Sequence, residues 1–151
     1  MTPAGKRSLV ITKTFAVPPQ RLYDAWCRPE LMAQWFFPAP GWRADVAAEI
    51  RPSGDYRVTM IDPEGGRHVQ HGTYVELEPA RRLVFTWTCD ELGVADSLVT
   101  LEFAQRGSQT ELTLTHELPD DPVILREHEG GWHGCLGTLS NYLEGTTGAG
   151  Q

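Results

Sequence analysis

Hydrophobic and polar residues alternate along the middle of the chain, from Trp42 to Glu117. Alternation with a period of two is typical of strands that bury one face and expose the other. Turn residues interrupt the pattern, most clearly at Asp62–Gly66, where glycine adopts positive φ at little cost. Another run rich in β-branched and aromatic residues comes first. The pattern predicts seven antiparallel strands, at residues 8–16, 42–51, 56–60, 68–78, 82–89, 98–103 and 111–116.

Two short helices are predicted between the first and second strands. The pair Pro18-Pro19 ends the first strand, and proline is well tolerated in the first turn of a helix, so a helix is expected through Cys27. Pro29 begins a second short helix that runs through Phe36. Two more prolines then stop it, since proline has no backbone N–H to donate.

A long helix is predicted at the C-terminal end, over residues 123–144. Asp121 is a suitable N-cap and Pro122 a suitable first helical residue. Gly130 and Gly131 lie inside this helix and cost about 1 kcal/mol each relative to alanine. They predict either a kink or a large group close to the backbone. The apolar stripe, with spacings of three and four, consists of Trp132, Cys135, Leu136, Leu139, Tyr142 and Leu143.

These elements predict an α+β domain in which the C-terminal helix covers the apolar face of the antiparallel sheet. The length fits one domain over residues 1–151, with an ordered core at about 8–144 and frayed ends at 1–6 and 145–151. A strongly curved sheet around a helix leaves a space between them unless side chains fill it.

Four stretches of the sequence resemble a known superfamily. They are VPPQRLYDAW at 17–26 with LMAQW at 31–35, RPSGDY at 51–56, GTYVE at 72–76 with RLVFTW at 82–87, and Gly131-Trp132 followed by Leu136, Leu139 and Tyr142. In this order they are similar to the SRPBCC superfamily, with its START-like or birch-pollen-allergen-like helix-grip fold. Within it they resemble the AHSA-like branch, related to the activator of heat-shock-protein ATPase. The resemblance covers about residues 8–144 and implies a hydrophobic cavity between sheet and helix.

The two periodicities indicate which residues line that cavity. Strand residues that alternate on one face point toward the helix, and helix residues three or four apart point back. The expected lining on the sheet is Tyr56, Val58, Met60, Phe85, Trp87, Leu101, Leu114 and His116, and on the helix His128, Trp132 and Leu136. The polar groups among them either contact a ligand or hydrogen-bond one another inside a filled core.

Three functions remain open at this stage. The leading hypothesis is a domain that binds a small apolar or lipid-like molecule without catalysis. The first alternative is an enzyme of the polyketide cyclase or dehydratase kind, which needs two or more converging titratable groups. The second is a protein-interaction module, such as a chaperone co-factor, which needs an exposed apolar patch. The resemblance supplies no catalytic residue, and no nucleophile motif is visible.

The charge and the cysteine content of the chain disfavour several classes of binding partner. A net charge of −7 and the lack of a broad basic face disfavour nucleic acid. The three cysteines are widely spaced, and the histidine pairs 68/71 and 128/133 point apart, so neither a metal nor another cofactor is expected. No run is apolar enough for membrane insertion, and a cytoplasmic location is the default expectation. A homodimer is left open.

Overall fold

The computed structural model describes residues 5–144. Of the ends expected to fray, residues 1–4 and 145–151 lie outside the described residues, whereas Lys6 is the first residue of a strand and pairs with Pro119. The strands are β1 (Lys6–Phe15), β2 (Arg43–Ala48), β3 (Asp55–Ile61), β4 (Arg67–Glu78), β5 (Arg82–Cys89), β6 (Val94–Arg106) and β7 (Gln109–Pro119). The helices are α1 (Pro19–Cys27), α2 (Pro29–Met32) and α3 (Pro122–Glu144), and a single 3₁₀ turn spans Asp90–Leu92.

The strands form one seven-stranded antiparallel sheet in the order β1-β7-β6-β5-β4-β3-β2. From β2 to β7 each strand pairs with the next along the chain, as hairpin spacing predicts. The first strand pairs with the last, which places β1 at one edge and β2 at the other. The predicted α+β class, the curved sheet, the two short helices and the long C-terminal helix are confirmed.

Helix α3 begins where the sequence predicts. The Asp121 carboxylate accepts hydrogen bonds from the backbone N–H groups of Val123 and Ile124, at 2.9 and 3.1 Å. This is the N-cap arrangement, and it satisfies two donors that the helix leaves free. The face of α3 that packs on the sheet consists of His128, Trp132, Cys135, Leu136, Leu139 and Leu143.

Several bounds differ by a few residues from the sequence prediction, and two of these differences have identifiable reasons. Helix α2 ends at Met32 rather than Phe36, because the following hydrogen bonds mix three- and four-residue spacings and so form turns. Strand β6 is longer than predicted because it extends past the apolar run to pair with both neighbours. Within residues 5–144, no helix is long and apolar enough to cross a membrane.

The close approach to α3 occurs at Gly134, not at the predicted Gly130 and Gly131. A Cβ at Gly134 would overlap the carbonyl oxygen of Pro38, whereas a Cβ at either predicted glycine would meet no atom within 4 Å. One turn further on, the Thr138 hydroxyl lies 2.6 Å from the Trp35 carbonyl oxygen and 2.9 Å from that of Phe37. These contacts hold the segment after α2 against the long helix.

A matched pair of alanine substitutions tests this packing. Gly134→Ala should destabilise the protein, because the added methyl group overlaps backbone that cannot give way. Gly137→Ala, in the same helix, should stabilise it by up to about 1 kcal/mol, because its Cβ enters open space and alanine favours helix. Urea denaturation measures both free energies of unfolding. Equal effects of the two substitutions would contradict the proposed contact.

Candidate functional site

The space between sheet and α3 is largely filled by aromatic rings. Trp132 of α3 packs on Trp87 of β5, with ring centroids 4.8 Å apart, and on Phe36 at 6.0 Å. Phe36 in turn stacks on Trp87 at 6.2 Å, and Trp26 of α1 lies 6.1 Å from Trp132. Rings of this size bury much apolar surface and leave only small gaps where their edges meet.

A chain of hydrogen bonds crosses this aromatic interior from the helix to the sheet. The Trp132 indole N–H donates to Nδ1 of His116, 3.0 Å away. Nε2 of His116 donates to the Ser97 hydroxyl at 2.8 Å, and that hydroxyl donates to the Trp87 carbonyl oxygen at 2.6 Å. The tautomer follows from these partners, since a nitrogen that accepts from an indole carries no proton.

His116 is therefore a neutral structural residue. Its side chain is fully buried, and burial together with the neighbouring His128 lowers its pKa to about 3. Protonation of Nδ1 would break the bond from Trp132. With both nitrogens engaged, this imidazole has no free position from which to exchange a proton with a bound molecule.

His128 has a different environment although it lies beside His116, with ring centroids 5.2 Å apart. Its Nδ1 donates to the Ile124 carbonyl oxygen at 2.8 Å, one turn back along α3. Its Nε2 is buried and has no hydrogen-bond partner among residues 5–144. Burial lowers the pKa of His128, so the ring is neutral and Nε2 is an unused acceptor.

A cavity of about 100 Å³ lies beside His128, between α3 and strands β3 to β5. Two further buried polar atoms on lining residues have no partner within the described chain, Oε1 of Gln70 and Nε1 of Trp87. Exposed Glu127 and half-buried Leu92 also line it, which places its mouth at the protein surface. The full lining is Pro38, Met60, Gln70, Trp87, Cys89, Leu92, Glu127, His128, Gly131, Trp132 and Cys135.

All the residues that line this cavity lie in a part of the chain that matches a known protein family. The family model described as Activator of Hsp90 ATPase homolog 1-like protein matches residues 16–144. The chain belongs to this family. No curated protein matches the chain.

Solved structures share the fold of this AHSA1-like chain. Protein CV1439 from Chromobacterium violaceum is 26% identical with a TM-score of 0.81, covering 91% of this chain and 96% of its own. The AHSA1 protein from Silicibacter pomeroyi is 23% identical with a TM-score of 0.76, covering 91% and 98%. DynU16, from the dynemicin biosynthetic locus, is 22% identical with a TM-score of 0.76, covering 93% and 48%. At this level of identity the likeness concerns the fold.

All eleven residues predicted to line the cavity are buried, but they divide into three groups. Four line the 100 Å³ cavity: Met60, Trp87, His128 and Trp132. Two border a second gap of only about 10 Å³, Tyr56 and Phe85. The remaining five belong to the packed core: Val58, Leu101, Leu114, His116 and Leu136.

The hydroxyl group of Tyr56, a predicted lining residue, forms a hydrogen bond within the sheet. Tyr56 lies opposite Gly72 on β4, where a Cβ would overlap the Thr86 carbonyl oxygen of the next strand. The missing side chain lets the Tyr56 hydroxyl donate to that carbonyl oxygen at 2.6 Å. Tyr56 is therefore satisfied inside the protein.

Seven of the eleven lining residues were absent from the predicted set: Pro38, Gln70, Cys89, Leu92, Glu127, Gly131 and Cys135. Gln70 lies opposite Val58 across the β3–β4 pair, and opposite residues share a face, so the strand alternation contains a signal for it. Gly131 was noted in the sequence as a helix-weakening residue and as part of the resembling Gly131-Trp132 stretch, but not as a lining residue. Among residues 5–144, no three His, Cys, Asp or Glu side chains are arranged so that they could hold a metal ion, and the cysteines 27, 89 and 135 are buried free thiols.

A wider depression of about 650 Å³ lies on the outer face of the sheet. Its charged lining residues include Glu49, Asp55, Arg57 and Asp96, all of them exposed to solvent. Exposed charges at such a surface are hydrated and screened. The inner cavity, with its buried unpaired atoms, is the better candidate site.

One charged cluster adjoins the mouth of the cavity. His68 Nε2 lies 2.9 Å from the Asp62 carboxylate, and Nδ1 lies 3.0 Å from that of Glu91. These carboxylates raise the pKa of His68, and the histidine lowers the pKa of Asp62. The cluster ties the β3–β4 turn to the 3₁₀ turn that carries Leu92.

The histidines predict a definite pH dependence of stability. The depressed pKa of His116 means that its contribution is complete above the unfolded pKa of about 6.5 and falls below it, by about 2 kcal/mol at pH 5. His128 acts in the same direction. The raised pKa of His68 acts oppositely, because its contribution is complete below about 6.5 and is lost as pH rises through the folded value.

Urea denaturation at pH 8 and pH 5 checks these signs. The wild-type protein should be less stable at pH 5, and His68→Gln should show a steeper fall because it lacks the opposing gain. A shallower fall in His68→Gln than in the wild type would contradict the assigned role of the cluster.

Proposed function

We propose that this protein binds a small, mostly apolar molecule in the cavity between β3–β5 and α3, without performing chemistry on it. The observation that carries the proposal is the set of three buried polar atoms, on Gln70, Trp87 and His128, that have no partner within residues 5–144 and belong to residues lining one cavity. An unpartnered buried polar group costs about 1–3 kcal/mol. A polar group on a bound molecule would supply hydrogen-bond partners that these atoms lack within the protein.

The glycine at position 131 supports the same proposal. It lines the cavity, and a Cβ there would meet no atom within 4 Å. No packing contact within the described chain therefore requires glycine, although glycine costs the helix about 1 kcal/mol relative to alanine. The absent side chain keeps the cavity open at its helical wall.

The enzyme alternative has less support. General acid–base chemistry needs titratable groups that reach the substrate. Both nitrogens of His116 are engaged within the protein, and burial raises the pKa of Cys135, one of the two cysteines that line the cavity, to about 12. His128 is then the one buried histidine with a free nitrogen at the cavity.

The interaction alternative also has less support. The large hydrophobic residues exposed in the described chain are Val10, Val75 and Val123, on three different elements. Single exposed apolar residues are normal on protein surfaces, whereas docking faces present contiguous patches.

The volume of the cavity limits the size of the group that can be buried in it. An engineered apolar cavity of about 150 Å³ binds benzene, so about 100 Å³ accommodates a group of similar size after slight expansion. A longer molecule would extend through the mouth beside Leu92 and Glu127.

A pair of leucine substitutions tests the proposal with toluene as the probe. Gly131→Leu places a side chain in the cavity and should abolish binding, while Gly130→Leu projects from an exposed position and should leave it unchanged. Both remove a glycine from the same helix, so changes in helix propensity are matched. NMR titration of the ¹⁵N-labelled protein measures affinity and maps the site. Absence of binding of both toluene and phenol to the wild type, or equal binding of toluene to both variants, would overturn the proposal.

A further inference from the structure

The unpaired atoms around the cavity define a pattern of hydrogen-bonding roles. Nε1 of Trp87 is an N–H group and can only donate. Nε2 of His128 can only accept, because the proton of this neutral ring is on Nδ1, which donates to the Ile124 carbonyl oxygen. Oε1 of Gln70 is an amide oxygen and can only accept. The amide nitrogen of the same side chain donates to the sulfur of Cys89. The residues that line the cavity thus carry one unpartnered donor and two unpartnered acceptors.

We propose that the ligand is an uncharged molecule whose polar group both donates and accepts a hydrogen bond, such as a hydroxyl group on a small ring. This inference rests on the proposed function and specifies the ligand class. The ligand oxygen accepts from Trp87 Nε1, and its hydrogen donates to one of the two acceptors. The apolar remainder lies among Met60, Trp87 and Trp132.

Charged ligands fit this pattern poorly. A carboxylate only accepts, so it would face the lone pairs of His128 and Gln70 without a donor to give them, and it would enter past the carboxylate of Glu127. An ammonium group only donates, so it would leave the Trp87 N–H unsatisfied. Either ion would also lose its hydration in a cavity with no opposite buried charge on its lining residues.

Four probes that each carry one benzene ring separate these classes: toluene, phenol, benzoate and benzylamine, each titrated against the full chain at pH 7.5. Phenol should bind about tenfold more tightly than toluene, because it satisfies groups that toluene leaves unpaired. Benzoate and benzylamine should bind more weakly than phenol. Calorimetry or NMR titration measures the four dissociation constants.

Variants assign the preference to the named atoms. Trp87→Phe removes the donor and His128→Leu removes an acceptor, so each should reduce the preference for phenol over toluene to about twofold or less while toluene still binds. Trp42→Phe serves as the control, because this half-buried tryptophan packs on His68 at 5.2 Å and is outside the cavity lining. It should keep the full preference for phenol.

The outcomes distinguish the two proposals. If toluene binds and phenol binds no more tightly, or if an ion binds most tightly, the ligand class is wrong and the binding function stands. If phenol is preferred but both cavity variants keep that preference, the assigned atoms are wrong. If none of the four probes binds, the proposed function fails and this inference fails with it.

Discussion

The hydrogen bond from Trp132 to His116 joins the long helix to the sheet, and the rest of the site depends on it. It continues through Ser97 to the backbone of Trp87, so one chain of polar contacts connects α3 with β7, β6 and β5. Trp132 and Trp87 are also two walls of the cavity. Loss of the Trp132 donor would leave the buried Nδ1 of His116 unpaired, at a cost of about 1–3 kcal/mol.

This chain of contacts also gives the two neighbouring histidines different roles. Both rings are neutral, because two charged imidazoles 5.2 Å apart in an apolar interior would each lose hydration and repel the other. His116 uses both nitrogens within the protein. His128 uses one nitrogen on its own helix and keeps the other as an acceptor at the cavity. The site is therefore a neutral space with directional hydrogen-bonding groups, suited to holding a polar group rather than to moving protons.

The fold could be predicted from the sequence because its signals are local. A period of two gives the strands, spacings of three and four give the helices, and Asp121-Pro122 marks the start of α3. The candidate site could be predicted only in part, since a polar residue's role depends on partners far away in sequence. His116 and His128 looked equivalent in the sequence, and only the approach of Trp132 and Ser97 separates them. The need for glycine at position 134 could not be predicted either, because the backbone of Pro38, which packs against it, is far away in sequence.

Nitrogen-15 NMR of the histidine side chains at pH 7.5 reports the tautomer of each ring, and so tests the roles of His116 and His128 directly. Both rings should be neutral, with the proton on Nε2 in His116 and on Nδ1 in His128. A matching spectrum would establish that His128 offers an acceptor while His116 offers none. A charged His116, or a His128 ring with its proton on Nε2, would contradict the assignment on which the site and its ligand class are built.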